Sequence, residues 1–285
     1  MKVAAYQAPL LACGSMEEAL GLIREQVDWC ESAGVEILCC PEGILGGLAD
    51  YAARPTAIAI DVEGGRLNAV LAPLASDRVT TILGLTEIDR EGRLFNSAAV
   101  FHKGSVVGLY RKLYPAINRS VCEAGDKIPI FTVGELTFGI LICLDSNYYE
   151  PARLMAAQGA AALFVPTNNG LPPTKAGPEI VDHARNVDIA RAVENSVSVI
   201  RADVAGRAPD LVSYGSSGIV DPDGRVLQSG RRLEADLVVA DIETAPRENR
   251  RGWDASKNSS VMNEYVRLVT RDSAVYTSKL ATTGA

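Results

Sequence analysis

The chain has 285 residues, is 47% hydrophobic and carries a formal net charge of −7. That much apolar material fills one large core or two ordinary ones. The acidic balance argues against a phosphate-backbone binder, which needs a basic face to displace counterions, so nucleic acid is not expected as a partner. The opening MKVAAYQAPLLACGS has no charged leader followed by a continuous apolar stretch, and the longest apolar runs elsewhere fall short of a membrane span. A cytoplasmic location without membrane association is expected.

In chain order, KVAAYQA reads as a strand and MEEALGLIREQVDWCESAG as an amphipathic helix closed by Gly34. VEILCCPEG is a short buried strand whose apolar run stops at Pro41 and Glu42. TTILGLTEI and SAAVFHK, joined by the turn DREGR and followed by VVGLYRK, read as antiparallel neighbours. LTFGILICLD leads to a helix over residues 151–158, the strand AALFVPT and a long helix through IVDHARNVDIARAVEN. SVSVIRADV, SSGIVDPDGRVLQ and ADLVVADI close the set, with Asp-Pro-Asp-Gly as a hairpin turn. Strands alternating with helices specify an α/β fold. Without repeats or linkers, residues 1–243 read as a single domain. The composition then changes to APRENRRGWDASKNSS and a polar end, so 244–285 reads as an extension, either solvated or docking on a partner subunit.

Six cysteines stand at 13, 30, 39, 40, 122 and 143, with no C-x-x-C and no His/Cys pair at finger spacing. Neither a structural metal nor a disulfide framework is expected. Two histidines, His102 and His183, leave little room for imidazole chemistry. Ligands of layered α/β folds bind beyond the carboxyl ends of strands. Three such ends carry complementary chemistry: VEILCCP ends in Glu42, VVGLYR in Lys112 and FGILI in Cys143. A free cysteine is by default a small core residue. Cys143 differs because it closes its apolar run just before a helix start, where N–H groups favour an anion. That setting predicts a stabilised thiolate. Lys112, between Arg111 and the apolar Leu113-Tyr114-Pro115, is unusual for a surface cation. PTNNG follows another buried strand, so Thr167, Asn168 and Asn169 either line the pocket or form an ordinary Asn-Gly turn.

These pieces, PEG with Glu42, YRK with Lys112, GILICLD with Cys143, RAVEN at 191–195 and GSSGIVDPDGRVL, resemble the nitrilase superfamily of carbon–nitrogen hydrolases in identity, order and spacing. The resemblance runs from the first strand to about residue 242. It implies a four-layer α-β-β-α sandwich that pairs into a homodimer or larger homo-oligomer. It also implies a Glu42-Lys112-Cys143 triad that cleaves small amides or N-carbamoyl compounds through a thioester without cofactor or metal. Leu144, through its N–H, and Asn168 and Asn169 are the expected substrate contacts.

The chain departs from the family pattern in places. Where many relatives place a second glutamate, AINRSVCEAGDKIP puts Ser120, with Glu123 out of register. Leu144-Asp145 replaces the Trp-Glu of nitrile-hydrolysing relatives, which leans toward amides. Asn147 stands where amidase-like relatives often have Arg, while Glu150 and Arg153 match the common pattern. Nitrile hydrolysis by the same triad and an inactive interaction module remain alternatives.

Overall fold

The period-2 alternation of the first strand, Lys2–Pro9, already specifies a two-faced sheet. Val3 and Ala5 point into one buried cluster, and Ala4, Tyr6 and Ala8 into another. Ile37–Cys39 divides the same way: Ile37 and Cys39 join the first cluster, Leu38 the second. The computed structural model describes residues 1–116 and 120–247, with residues 260, 263, 264, 266 and 267. By its contacts the chain divides into Met1–Arg247 and Glu248–Ala285, and the layered fold belongs to the first unit.

Among the described residues two sheets form, one of ten strands and one of six. In the larger, Lys2–Pro9 pairs parallel to Ile37–Cys39 and antiparallel to Asp236–Asp241. Ile37–Cys39 in turn runs parallel to Thr80–Ile88. Thr80–Ile88, Leu94–His102 and Ser105–Arg111 are the expected antiparallel neighbours. The smaller sheet is centred on Leu136–Ile140, Ala162–Pro166 and Ser198–Ala202, all parallel. One edge is the hairpin of Gly218–Val220 and Val226–Ser229, and the other is Ile130–Val133.

The first cluster joins the facing surfaces of both sheets, Ile82, Val100 and Tyr110 meeting Phe138, Ile140 and Phe164. Helix Met16–Ala33 covers the other face of the larger sheet through Ala19, Ile23, Val27 and Cys30. Helices Tyr149–Ala157 and Pro178–Asn195 cover the smaller sheet through Ala152, Met155 and Ala192. The result is the expected four-layer α-β-β-α sandwich.

Residues 43–79 carry two short helices, Pro55–Ile58 and Arg66–Leu71, and the two-residue strand Ile60–Asp61, none foreseen from the sequence. Runs this short contain too few turns to show a period. No helix among the described residues is long and apolar enough to cross a membrane. Arg247 pairs with Asp223 at 2.9 Å and with Glu243. Arg250, Arg251 and most of the extension lie outside the described residues.

Candidate active site

Glu42 leaves its strand at Pro41 and folds back over Thr80–Ile88, an approach that only glycine at position 84 permits. A Cβ on Gly84 would lie 2.4 Å from Gly43 N, 2.5 Å from Pro41 O and 2.7 Å from Glu42 Cα, all backbone atoms. So seated, Glu42 is 3% exposed. Its Oε1 accepts from Lys112 Nζ at 2.5 Å and Asn96 Nδ2 at 2.8 Å, and its Oε2 from Asn168 N at 3.1 Å. The backbone N–H of Glu42 donates to Thr167 O at 3.3 Å. Strand ends from both sheets therefore meet on one carboxylate.

Lys112 is equally buried and follows directly on Ser105–Arg111. Its own N–H donates to Asn96 O at 2.8 Å, and its carbonyl accepts from Gly125 N at 2.8 Å. Burial works against the ammonium, but the charge of Glu42 and then of Cys143 hold it above its ordinary range.

Cys143 ends Leu136–Ile140 by way of Leu141 and Ile142 and opens the 3-10 turn Cys143–Asn147. Its φ of +48° is in the left-handed region, which a non-glycine residue occupies at a cost of roughly 1–3 kcal/mol and which clusters at functional sites. The sharp turn leaves the side chain half-buried rather than sealed in the core. Burial pushes its thiol up to about 12, the charge of Glu42 adding to the rise, while Lys112 and Arg201 act in the opposite direction. This corrects the expectation of a stabilised thiolate. The turn after Cys143 is a five-residue 3-10 segment, too short to supply the electrostatics of a helix start, and desolvation dominates. At rest the sulfur keeps its proton beside a carboxylate able to take it.

The turn is held from behind by Asp145, which is fully buried. Its Oδ2 accepts from Tyr110 OH at 2.8 Å, Ile142 N at 3.1 Å and Leu113 N at 3.4 Å, and its Oδ1 from Tyr114 N at 2.8 Å. One carboxylate thereby fastens the residues just after Lys112 to the residue just before Cys143. Tyr114 and Tyr148, which follow the two strand ends, stack with ring centroids 3.9 Å apart.

Asn168 and Asn169 sit at the same end of the smaller sheet. Asn168 accepts from Gly170 N at 3.0 Å, the Asn-Gly turn, while its N–H holds Glu42. Asn169 Nδ2 donates to Asp203 Oδ2 at 2.9 Å and Ser216 Oγ at 3.2 Å, so its amide nitrogen is committed to the scaffold. Leu144 is half-buried directly after Cys143. Ser120 Oγ donates to Asp50 Oδ2 at 2.9 Å, and Val121 N to Asp50 Oδ1 at 2.8 Å. Glu123 is exposed. Burial raises the hydroxyl of the neighbouring Tyr51, the charges of Asp50, Glu42 and Cys143 add to the rise, and Lys112 opposes it. Asp50 belongs to a segment that carried no motif.

Residues 2–251 match the family model described as carbon-nitrogen hydrolase. The chain belongs to that family. Among its relatives is an (R)-stereoselective amidase of a Pseudomonas species, 31% identical over 231 residues, 80% of each chain. A 2-oxoglutaramate amidase of Bacillus subtilis is 30% identical over 169 residues, 58% of this chain and 62% of that one. An amidase of Nesterenkonia from the nitrilase superfamily has a similar fold, with a TM-score of 0.73 at 24% identity over 91% of this chain and 96% of that one.

Proposed function

We propose that this carbon-nitrogen hydrolase is a cysteine-dependent amidohydrolase that cleaves a small linear amide or N-carbamoyl compound to a carboxylate and ammonia or an amine. The observation that carries the reading is the buried Glu42–Lys112 pair at 2.5 Å, whose charges bear directly on the thiol of Cys143. A carboxylate, an ammonium and a strained cysteine within electrostatic reach of one another are the parts acyl transfer needs.

As Cys143 Sγ attacks the carbonyl carbon, Glu42 takes the thiol proton, so the thiolate forms only as it is consumed. Lys112 Nζ and the N–H of Leu144 hold the oxyanion, each such donor being worth about 3 kcal/mol in the transition state. The leaving nitrogen departs with the proton from Glu42, and a thioester remains on Cys143. Glu42 next draws a proton from water, whose oxygen joins the acyl carbon. The sulfur leaves and is reprotonated through Glu42, which regenerates the starting state. In this reading the side-chain oxygen of Asn169 faces the substrate, whereas Asn168, whose side-chain oxygen and nitrogen bond to Gly170 N and Glu42 O, serves to hold Glu42.

Leu144-Asp145 after the nucleophile favours amides over nitriles. A nitrilase of Pyrococcus abyssi, 30% identical over 197 residues, keeps nitrile hydrolysis as the second reading. A homodimer formed on the outer helical layer accords with the exposure of Leu154 and Val193 there, and light scattering in solution tests it.

The deciding experiment screens aliphatic amides, N-carbamoyl amines, N-carbamoyl amino acids, ω-amides and nitriles for released ammonia, with Cys143→Ala in parallel. Hydroxylamine should trap the acyl group from wild-type enzyme as a hydroxamate. A glutamate-to-glutamine mutant of the Nesterenkonia amidase carries acrylamide added at its active-site cysteine. Acrylamide is therefore expected to modify Cys143 in the Glu42→Gln variant of this chain, as peptide mass spectrometry would show. Turnover retained by Cys143→Ala ends the nucleophile assignment.

A further inference from the structure

Beneath the site lies a cation that no motif announced. Arg201 sits in the strand Ser198–Ala202 and is 3% exposed. Its Nε and Nη2 grip Asp188, at 3.0 and 2.6 Å, and Asp188 is fully buried in helix Pro178–Asn195. The remaining donors leave this pair in two directions. Nη2 donates to Ser146 Oγ at 2.9 Å, and Ser146 Oγ passes its own hydrogen to the carbonyl of Cys143 at 2.7 Å. Nη1 donates to Thr167 Oγ1 at 2.8 Å. The carbonyl of Thr167 accepts the N–H of Glu42, and the next residue, Asn168, donates to the Glu42 carboxylate.

An ion pair that served stability alone would need nothing beyond Asp188, and buried pairs often only break even against apolar replacements. Here every outward donor ends on a residue that carries a site group. The left-handed turn at Cys143 persists only if its surroundings over-determine it, and the carbonyl of Cys143 is the atom that Ser146 fixes. Arg191 adds a second hold on the same turn, from Nε to Ser146 O at 2.9 Å and Nη2 to Asn147 O at 3.2 Å. The charge of Arg201 also reaches the sulfur, which it favours as thiolate.

We propose that Arg201 is a positioning residue: it ties the Cys143 turn and the strand end that holds Glu42 to one buried pair. Its kinetic consequence rests on the amidohydrolase reading, but its effect on the thiol does not. A planar guanidinium can hold Asp188, Ser146 and Thr167 at once, which a lysine ammonium cannot match in geometry.

The test separates charge from geometry. The second-order rate of Cys143 alkylation by iodoacetamide is read at pH 8 from the Cys143 peptide, so that exposed Cys13 does not interfere. Loss of the charge alone would slow alkylation, whereas loss of the tie exposes the sulfur, so Arg201→Gln is expected to speed Cys143 alkylation about tenfold. Arg201→Lys, which keeps the charge but cannot hold Asp188, Ser146 and Thr167 at once, should speed it as well. A residue that merely propped up the fold would also expose the buried Cys30, Cys39 and Cys40, whose peptides are read in the same digest.

Ser146→Ala leaves the charge in place and cuts the tie to Cys143. With an amide substrate it should lower kcat about tenfold while KM stays within about twofold. If wild type hydrolyses none of the amides, the functional reading falls and the alkylation rates still decide on Arg201. Unchanged or slower alkylation of Cys143 in Arg201→Gln, or labelling of Cys30, Cys39 and Cys40 alongside it, overturns the proposal. Should that variant not fold, wild-type kcat in Ser146→Ala overturns it instead.

Discussion

Asp145→Asn is the substitution for which stability and activity should move in opposite directions with pH. The carboxyl is fully buried, and desolvation raises it from 3.8 to about 6 even though Tyr110, Lys112 and the backbone donors pull it down. A rise of that size means that ionised Asp145 costs the fold about 3 kcal/mol at neutral pH. Between the unfolded and folded values the native state binds more protons than the unfolded chain. Asp145 therefore lets stability increase as pH falls from about 7 toward 4.

The same protonation puts an O–H among four donors, those of Tyr110, Leu113, Tyr114 and Ile142, and loosens the clasp between the Lys112 strand end and the Cys143 turn. Activity should fall through an acid limb with an apparent pKa near 6. Asn mimics the protonated group at every pH. Urea unfolding of wild type and Asp145→Asn from pH 4 to 8 should give a difference that changes by about 3 kcal/mol in total, wild type gaining toward acid. kcat/KM of the variant should be low and lack the limb near 6. A pH-independent stability difference, or an unchanged acid limb in the variant, refutes the argument that Asp145 is ionised in the working enzyme at a desolvation cost.

Lys112→Met strands Glu42 without its cation at 3% exposure and should cost roughly 3–5 kcal/mol in denaturant melts. The double variant with Glu42→Gln should recover part of that loss, since the stranded charge goes with it. Gly84→Ala drives a Cβ into the backbone at Pro41, Glu42 and Gly43, so it should destabilise by about 3 kcal/mol and lower turnover by displacing Glu42. A variant with wild-type melting and activity would show that this backbone can retreat. Asp50→Asn keeps the ties to Ser120 and Val121 sterically possible but removes a negative charge that acts on Tyr51 together with those of Glu42 and Cys143. A drop in kcat of about tenfold is expected, and Ser120→Ala, which keeps the charge, should have the smaller effect.

The three candidate residues were legible because each is a polar group at the end of an apolar run, where a layered fold must stop a strand at its rim. Sheet register explains why their partners were not. Asn96 reaches Glu42 from inside Leu94–His102, and nothing in NSAAVF says which rung faces the carboxylate. Asp50 closes the unpatterned GGLAD, and its ties to Ser120 and Val121 cross about seventy residues of chain. The left-handed turn at Cys143 carries no glycine to announce it. Asp145 and Asn147 read as sequence variations between family branches, yet the structure gives them different weights. The first is a buried clasp, and the second offers its carbonyl to Arg191 from an exposed position.

These contacts also explain how groups from separate strand ends hold one geometry. Glu42, Lys112 and Cys143 sit on three segments that no continuous element joins, so their spacing is only as firm as the cross-ties between them. Asp145 ties the Lys112 segment to the Cys143 turn, and Ser146 with Arg201 ties that turn to Thr167. Asn168 and the Glu42–Lys112 pair complete the circuit. A closed ring of ties loses most when its first member is cut, because an open chain of contacts no longer fixes either end. Single cuts at Asp145 and Ser146 should therefore each remove much of the turnover, and the double variant should lose less than the product of the two separate losses. Strict multiplication of the two losses in kcat would mean that the clasps act independently and that the ring does not work as a unit.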